Sequence, residues 1–268
     1  MDKSVENYPV NLGSIFTIAA NVFREAIRDR SLYLVAIYAI ALVAAVGLLP
    51  EVSANAEDKI TLDVALAAMN LLGLIVTIFL GTGLINKEIE KRTVLVLLSK
   101  PIRRGELIVG KFLGLSATIA ILVALMQAIL MVVLGLSRTP YPFCSTIVAA
   151  FFLFLQLSTI AAVAILFGVL TSSVLATILT LCVYVMGNLT RDLLQLGDIS
   201  QNPAIDRLSM ALYLILPDLA RLDLKNDAVY GMAALPNVGT LFVNVIYGMV
   251  YTILLLSLAI AIFSQREF

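Results

Sequence analysis

The chain has 268 residues, 61% of them hydrophobic and 13% charged, and its formal net charge is zero. A soluble domain is typically about half apolar and a quarter charged, so the surplus apolar side chains need a lipid solvent and an ordinary water-soluble fold is excluded. Zero net charge offers nothing to a nucleic acid, and the absence of histidine removes the commonest general base and metal ligand.

The charges are clustered. None occurs from Phe112 to Ser137, from Thr139 to Thr190, or from Ala228 to Gln265. A helical crossing needs about 20 apolar residues, so the first and last stretches suffice for one crossing and the middle one for two. The first dozen residues are polar and carry no signal-peptide pattern.

Taken in chain order, 14–30 has the 3.6-residue period of an amphipathic helix. Ile15, Ile18, Ala19, Val22 and Ala26 share one face, and Asn21, Arg24, Glu25 and Arg28 the other. It is too charged to cross and directly precedes a crossing, so it is expected to lie in the membrane interface. The predicted spans are 31–50, 63–86, 108–136, 144–170, 174–190 and 238–263. The turn between the fourth and fifth falls at Thr171, Ser172 and Ser173, a polar run inside the long uncharged stretch. The expected fold is an all-α integral membrane protein in one domain, 1–268, with six transmembrane helices. A polar outer loop, 191–236, contains the apolar run Leu208 to Leu216 as a short re-entrant or surface helix. Asp218, Arg221, Asp223, Lys225 and Asp227 then form a solvated rim. Lys and Arg concentrate on one side when the N-terminus is placed inside, so both termini are expected to be cytoplasmic in a multi-pass protein of the cytoplasmic membrane. Cys144 and Cys182 fall at different depths, which argues against a disulfide.

No phosphate-binding GxxxxGK[ST] loop, HExxH or GxSxG is present. The predicted spans also lack the mid-membrane charges on which ion-coupled carriers normally rely. The chain therefore reads as a non-enzyme with no metal or cofactor of its own.

The segment 87–107 is the most informative. Glu88 and Glu90 precede an apolar core, Val94 to Leu98, and Pro101 ends it, which suits a short helix with acid at its start and Lys100 at its end. Such a helix on the inner face either lies on anionic lipid through Lys91, Arg92, Arg103 and Arg104 or inserts its apolar side chains into a groove on a soluble partner. Positive-inside bias explains the charges but not five consecutive apolar residues in a cytoplasmic loop.

This segment resembles the permease subunits of type-2 ABC exporters. The shared pattern is Glu88-Ile89-Glu90 with Thr93, then Leu97-Leu98-Ser99 with Pro101, then Arg104, then Gly110, Lys111 and Gly114. The resemblance implies that Glu88, Glu90, Arg92, Thr93, Leu97, Leu98, Pro101 and Arg104 belong to a coupling segment. That segment would dock on separate ABC ATPase subunits, which would hold the ATP and Mg. It also implies pairing of two permeases, as a homodimer or with a sister chain, in the lipid bilayer. Export is the activity implied, and relatives tied to copper-enzyme maturation leave a folding role open as well.

Two weaker patterns remain. Gly73, Thr77 and Gly81 recur at four-residue spacing, and Gly110 and Gly114 open the third span; small residues at this spacing let helices approach closely, within one subunit or across a dimer. Asn70, Thr77, Gln127, Asn188, Gln156, Tyr184, Asn244, Tyr247 and Tyr251 are uncharged polar residues within spans. Each needs a partner in hydrocarbon, so they either line a translocation path, with Asn70, Thr77, Gln127 and Asn188 the first candidates, or bond helix to helix. An ion-coupled carrier and a non-transporting membrane scaffold are the alternative functions.

Overall fold

In hydrocarbon a backbone must satisfy its own N–H and C=O groups, and runs of Leu, Ala, Ile and Val free of internal proline do so as helices. The computed structural model describes residues 12–28, 32–52, 57–90, 103–136, 142–190, 192–193, 195, 199 and 203–265, and among these there is no strand. The helices are α1 (Leu12–Ala26), α2 (Leu32–Val52), α3 (Glu57–Glu90), α4 (Arg104–Leu136), α5 (Phe143–Leu170), α6 (Ser173–Asn188), α7 (Pro203–Ile215), α8 (Lys225–Val229) and α9 (Val238–Gln265). A 3-10 turn covers Leu219–Arg221.

Among the described residues four helices are long and apolar enough to cross a membrane: Lys59–Leu84 within α3, and α4, α5 and α9. Two further apolar stretches are shorter, Tyr33–Gly47 within α2 and the whole of α6. At 1.5 Å per residue α6 is about 24 Å long, less than the roughly 30 Å of a bilayer core. The helices also overrun the predicted spans. α3 starts at Glu57 and continues through Lys87 to Glu90, and α4 starts at Arg104. Asp, Lys and Glu at these ends mark where the chain leaves lipid. They are tolerated by a helix, so the helix does not stop with the apolar run.

α5 is the central post. Its apolar window is 78% buried, against 22% for α9, and it packs on α3, α4, α6, α8 and α9. α3 lies so close to it that a Cβ on Gly73 would sit 2.6 Å from Leu157 Cδ1, and one on Gly81 2.7 Å from Ala164 Cβ. α1 packs chiefly on α4, and the other glycine pair makes this possible. A Cβ on Gly110 would sit 2.8 Å from Ile18 Cβ, and one on Gly114 2.6 Å from the Ala19 carbonyl. All four glycines thus serve close packing within the chain. The amphipathic helix is seated in a notch on α4, with Ile15, Val22 and Ala26 buried and Leu12 and Phe16 exposed.

Helix directions follow from the cross-bonds. Lys111 bonds Leu84, Thr82 pairs with Thr177, Gly73 and Gly81 meet Leu157 and Ala164 in the same order, and Arg104 reaches Phe263. The end of α3, the starts of α4 and α6, and the ends of α5 and α9 therefore gather at one end of the bundle, called here the Arg104 end. The start of α5 and the connection before α9 lie at the opposite, Phe143 end.

Gly114→Ala forces a methyl against the Ala19 carbonyl, a backbone atom that cannot rotate away. Overpacking of this kind costs about 1–3 kcal/mol, so the melting temperature in detergent should drop clearly. Gly135→Ala, where nothing lies within 4 Å, should leave it unchanged. Equal melting of the two variants would contradict the notch.

Candidate functional site

The connection between α6 and α9 enters the bundle. α7 ends at Ile215, whose carbonyl accepts a bond from Tyr251 Oη at 2.6 Å. Tyr251 lies 13 residues into α9, and Gln156, which reaches the Leu219 carbonyl at 3.5 Å, lies 13 residues into α5. Both place the tip about 20 Å from the start of those helices. The chain then returns: Ser145, near the start of α5, donates to the Ala228 carbonyl at 2.7 Å, and Lys59, near the start of α3, stands 4.8 Å over the Tyr230 ring. Pro217 passes the end of α6 so closely that a Cβ on Gly187 would meet its carbonyl at 2.7 Å. The tip thereby occupies the depth that the short α6 leaves unfilled.

This corrects the expectation of a solvated rim at Asp218, while Arg221, Asp223, Lys225 and Asp227 are half-buried. Asp218 is 3% exposed and Leu219 0%, and Leu222, Leu224, Ala228 and Val229 are also buried. The apolar residues face the bundle, and the charges pair among themselves. Asp218 Oδ2 accepts from Arg221 Nε at 2.8 Å, and Asp223 binds Lys225. Arg221 also donates to Tyr213 Oη at 3.0 Å and lies 5.1 Å over the Tyr247 ring.

Irregular backbone at membrane depth is tolerated only where protein satisfies it, and here the uncharged polar residues of the spans do so. The Asp218 N–H donates to Tyr247 Oη at 2.8 Å, and Asn244 Nδ2 donates to the Arg221 carbonyl at 3.1 Å. Gln156 Nε2 also donates to Asn188 Oδ1 at 3.1 Å. Asn188 donates back along α6 to the Tyr184 carbonyl, and Tyr184 Oη donates to Asn70 Oδ1 at 3.1 Å. One polar chain therefore runs from α3 through α6 and α5 to the re-entrant tip. A shallow recess beside it is lined by Leu66, Met69, Asn70, Leu153, Gln156, Asp223 and Lys225.

Of the four path candidates, Asn70 and Asn188 are brought together in this network. Thr77 is fully buried and bonds back to the Gly73 carbonyl. Gln127 is buried elsewhere on α4, with neither amide atom partnered among the described residues. Residues missed by sequence reading are Thr190, which donates to Asp218 Oδ1 at 3.3 Å, and Gly187. The alternation Arg221-Leu222-Asp223-Leu224-Lys225 was the available signal, because a uniformly solvated loop has no need of it.

At the Arg104 end, Glu88 and Glu90 belong to the last turns of α3. Arg92, Thr93, Leu97, Leu98 and Pro101 lie outside the described residues. Arg104 opens α4 and donates through Nη1 to the carbonyls of Phe263 and Ser264, at 3.0 and 3.1 Å. Lys111, 2% exposed, donates to the Leu84 carbonyl at 2.7 Å and fastens α4 to α3. Cys144 and Cys182 are both free and exposed. Among the described residues no group of three or more His, Cys, Asp or Glu is placed to hold a metal.

A family model described as ABC-2 family transporter protein matches residues 16–268. No curated protein matches the chain.

Removing either partner of the Asp218–Arg221 pair takes the nearest opposite charge away from the other. Asp218→Ala and Arg221→Ala should each lower stability by about 1.5–3 kcal/mol, the range for hydrogen bonds to charged groups. The double variant should lose clearly less than the sum, as coupled neighbours do. Additive losses in a double-mutant cycle on detergent melting would show that the pair is not made.

Proposed function

The chain belongs to the ABC-2 transporter family, and on that premise we propose that it is the permease half of an ATP-driven exporter, worked by a separate ATPase docked at the Arg104 end. One observation supports this reading most. α3 ends and α4 begins at the same end of the bundle, where Lys111 on α4 bonds the Leu84 carbonyl of α3 and clamps the two helices together. A push on the segment between them would therefore reach both helices as one rigid unit.

In this reading 87–107 is the coupling segment, with Glu88, Glu90, Arg92, Thr93, Leu97, Leu98, Pro101 and Arg104 transmitting the stroke. The ATPase supplies ATP, Mg and hydrolysis. α2 and α6 complete six crossings, α6 with the help of the re-entrant tip, and both termini face the cytoplasm of the inner membrane. Two permeases, identical or sister chains, would each contribute half of a path. The polar face carrying Asn70 and Asn188 supports a path between α3 and α6, because those side chains could exchange their mutual bonds for bonds to a passing substrate. Thr77 and Gln127 would then act in packing or at later stages of opening.

The test is copurification with a nucleotide-binding subunit and reconstitution of the pair. Leu97→Asp should leave the permease folded and sharply lower permease-dependent ATP hydrolysis, since an ion in an apolar docking groove is strongly disfavoured. Solute movement driven by an ion gradient, with no nucleotide and no ATPase present, would contradict the proposal and favour a carrier.

A further inference from the structure

The last carbonyls of a helix have no partner within the helix, and a cation placed there both bonds them and complements the helix dipole. At the end of α9 that cation comes from another helix 159 residues away in sequence: the guanidinium of Arg104 bonds the carbonyls of Phe263 and Ser264 and lies 6.0 Å from the centre of the Phe263 ring. The Phe263 side chain is 1% exposed. Gly105 faces the same helix, with Ile260 Cγ2 at 3.5 Å from where its Cβ would be, and Leu107, Ile108, Ala259 and Phe263 share one apolar cluster. The first turn of α4 and the last turn of α9 are thus joined by a charged clasp set on an apolar seat.

Apart from this seat, α9 is the least buried of the four long helices. A displacement arriving at the start of α4 has a direct mechanical route to α9 through Arg104. We propose that Arg104 is a positioning residue that ties the end of α9 to the coupling segment, so that ATP-driven motion moves α9 together with α3 and α4. α9 in turn carries Asn244, Tyr247 and Tyr251, which hold the re-entrant tip. The clasp therefore makes the re-entrant tip responsive to the nucleotide. This inference rests on the exporter reading above.

The test uses the permease–ATPase complex in nanodiscs, with Cys144 and Cys182 replaced by serine and one reporter thiol at a time. Ala261→Cys reports the exposed side of the α9 end, and Leu113→Cys the exposed side of α4 nine residues from its start. The probe is the rate of maleimide labelling with and without ATP and vanadate. With Arg104 present, nucleotide should change both rates several-fold. Arg104→Gln should abolish the change at Ala261→Cys and keep it at Leu113→Cys, and Arg104→Lys, which retains a donor and the charge, should restore part of it. A nucleotide response at Ala261→Cys that persists in Arg104→Gln, or loss of both responses together in a variant with unaltered melting, would overturn the clasp. No response at either reporter in the Arg104 protein would instead overturn the exporter reading, and the inference with it.

Discussion

A peptide group left unpaired in hydrocarbon costs several kcal/mol, and much of the arrangement of the bundle follows from avoiding that. Helices solve the problem for the spans themselves. The connection between α6 and α9 does not, because Pro217 lacks an N–H and a 3-10 turn follows it. Its carbonyls and N–H groups are met by Tyr251, Tyr247, Asn244, Gln156 and Ser145, each reaching from a span. Tyr251, Tyr247, Asn244 and Gln156 look out of place in apolar helices, and irregular backbone lies next to each of them.

The same accounting explains why α6 is short. A 16-residue helix cannot cross on its own, yet its end is covered by Pro217 and Leu219 packed on Gly187. Two incomplete elements make one complete layer. The joint is polar, running through Asn188 and Gln156 to Asn70 and Tyr184, so its bonds can be exchanged for others at small cost, unlike a closely packed apolar joint. The contrast with the glycine contacts between α3 and α5 is instructive, because there backbones are pressed together and sliding would collide side chain with side chain.

Much of this was legible in the sequence. Uncharged stretches located the long helices, the Thr171-Ser172-Ser173 turn fell where α5 ends and α6 begins, and the pattern from Glu88 to Gly114 indicated the family. Helix ends were not legible from hydropathy, since Lys87, Glu88 and Glu90 mark the exit from lipid and still continue the helix. Asp218 was misread as part of a solvated rim because composition alone treats a charge as a solvated charge. The pairing of Asp218 with Arg221 that makes burial possible needs the turn between them, and the sequence does not display that turn. The clasp of Arg104 on Phe263 is a contact across 159 residues, beyond the reach of local pattern.

Amide hydrogen exchange across 218–222, measured on the full chain in nanodiscs, probes the buried connection most directly. Asp218, Leu219 and Leu222 should exchange as slowly as the middle of α5, because their N–H groups are bonded and sealed from water. Exchange as fast as that of an exposed, solvated loop would contradict a re-entrant tip served by the side chains of the spans.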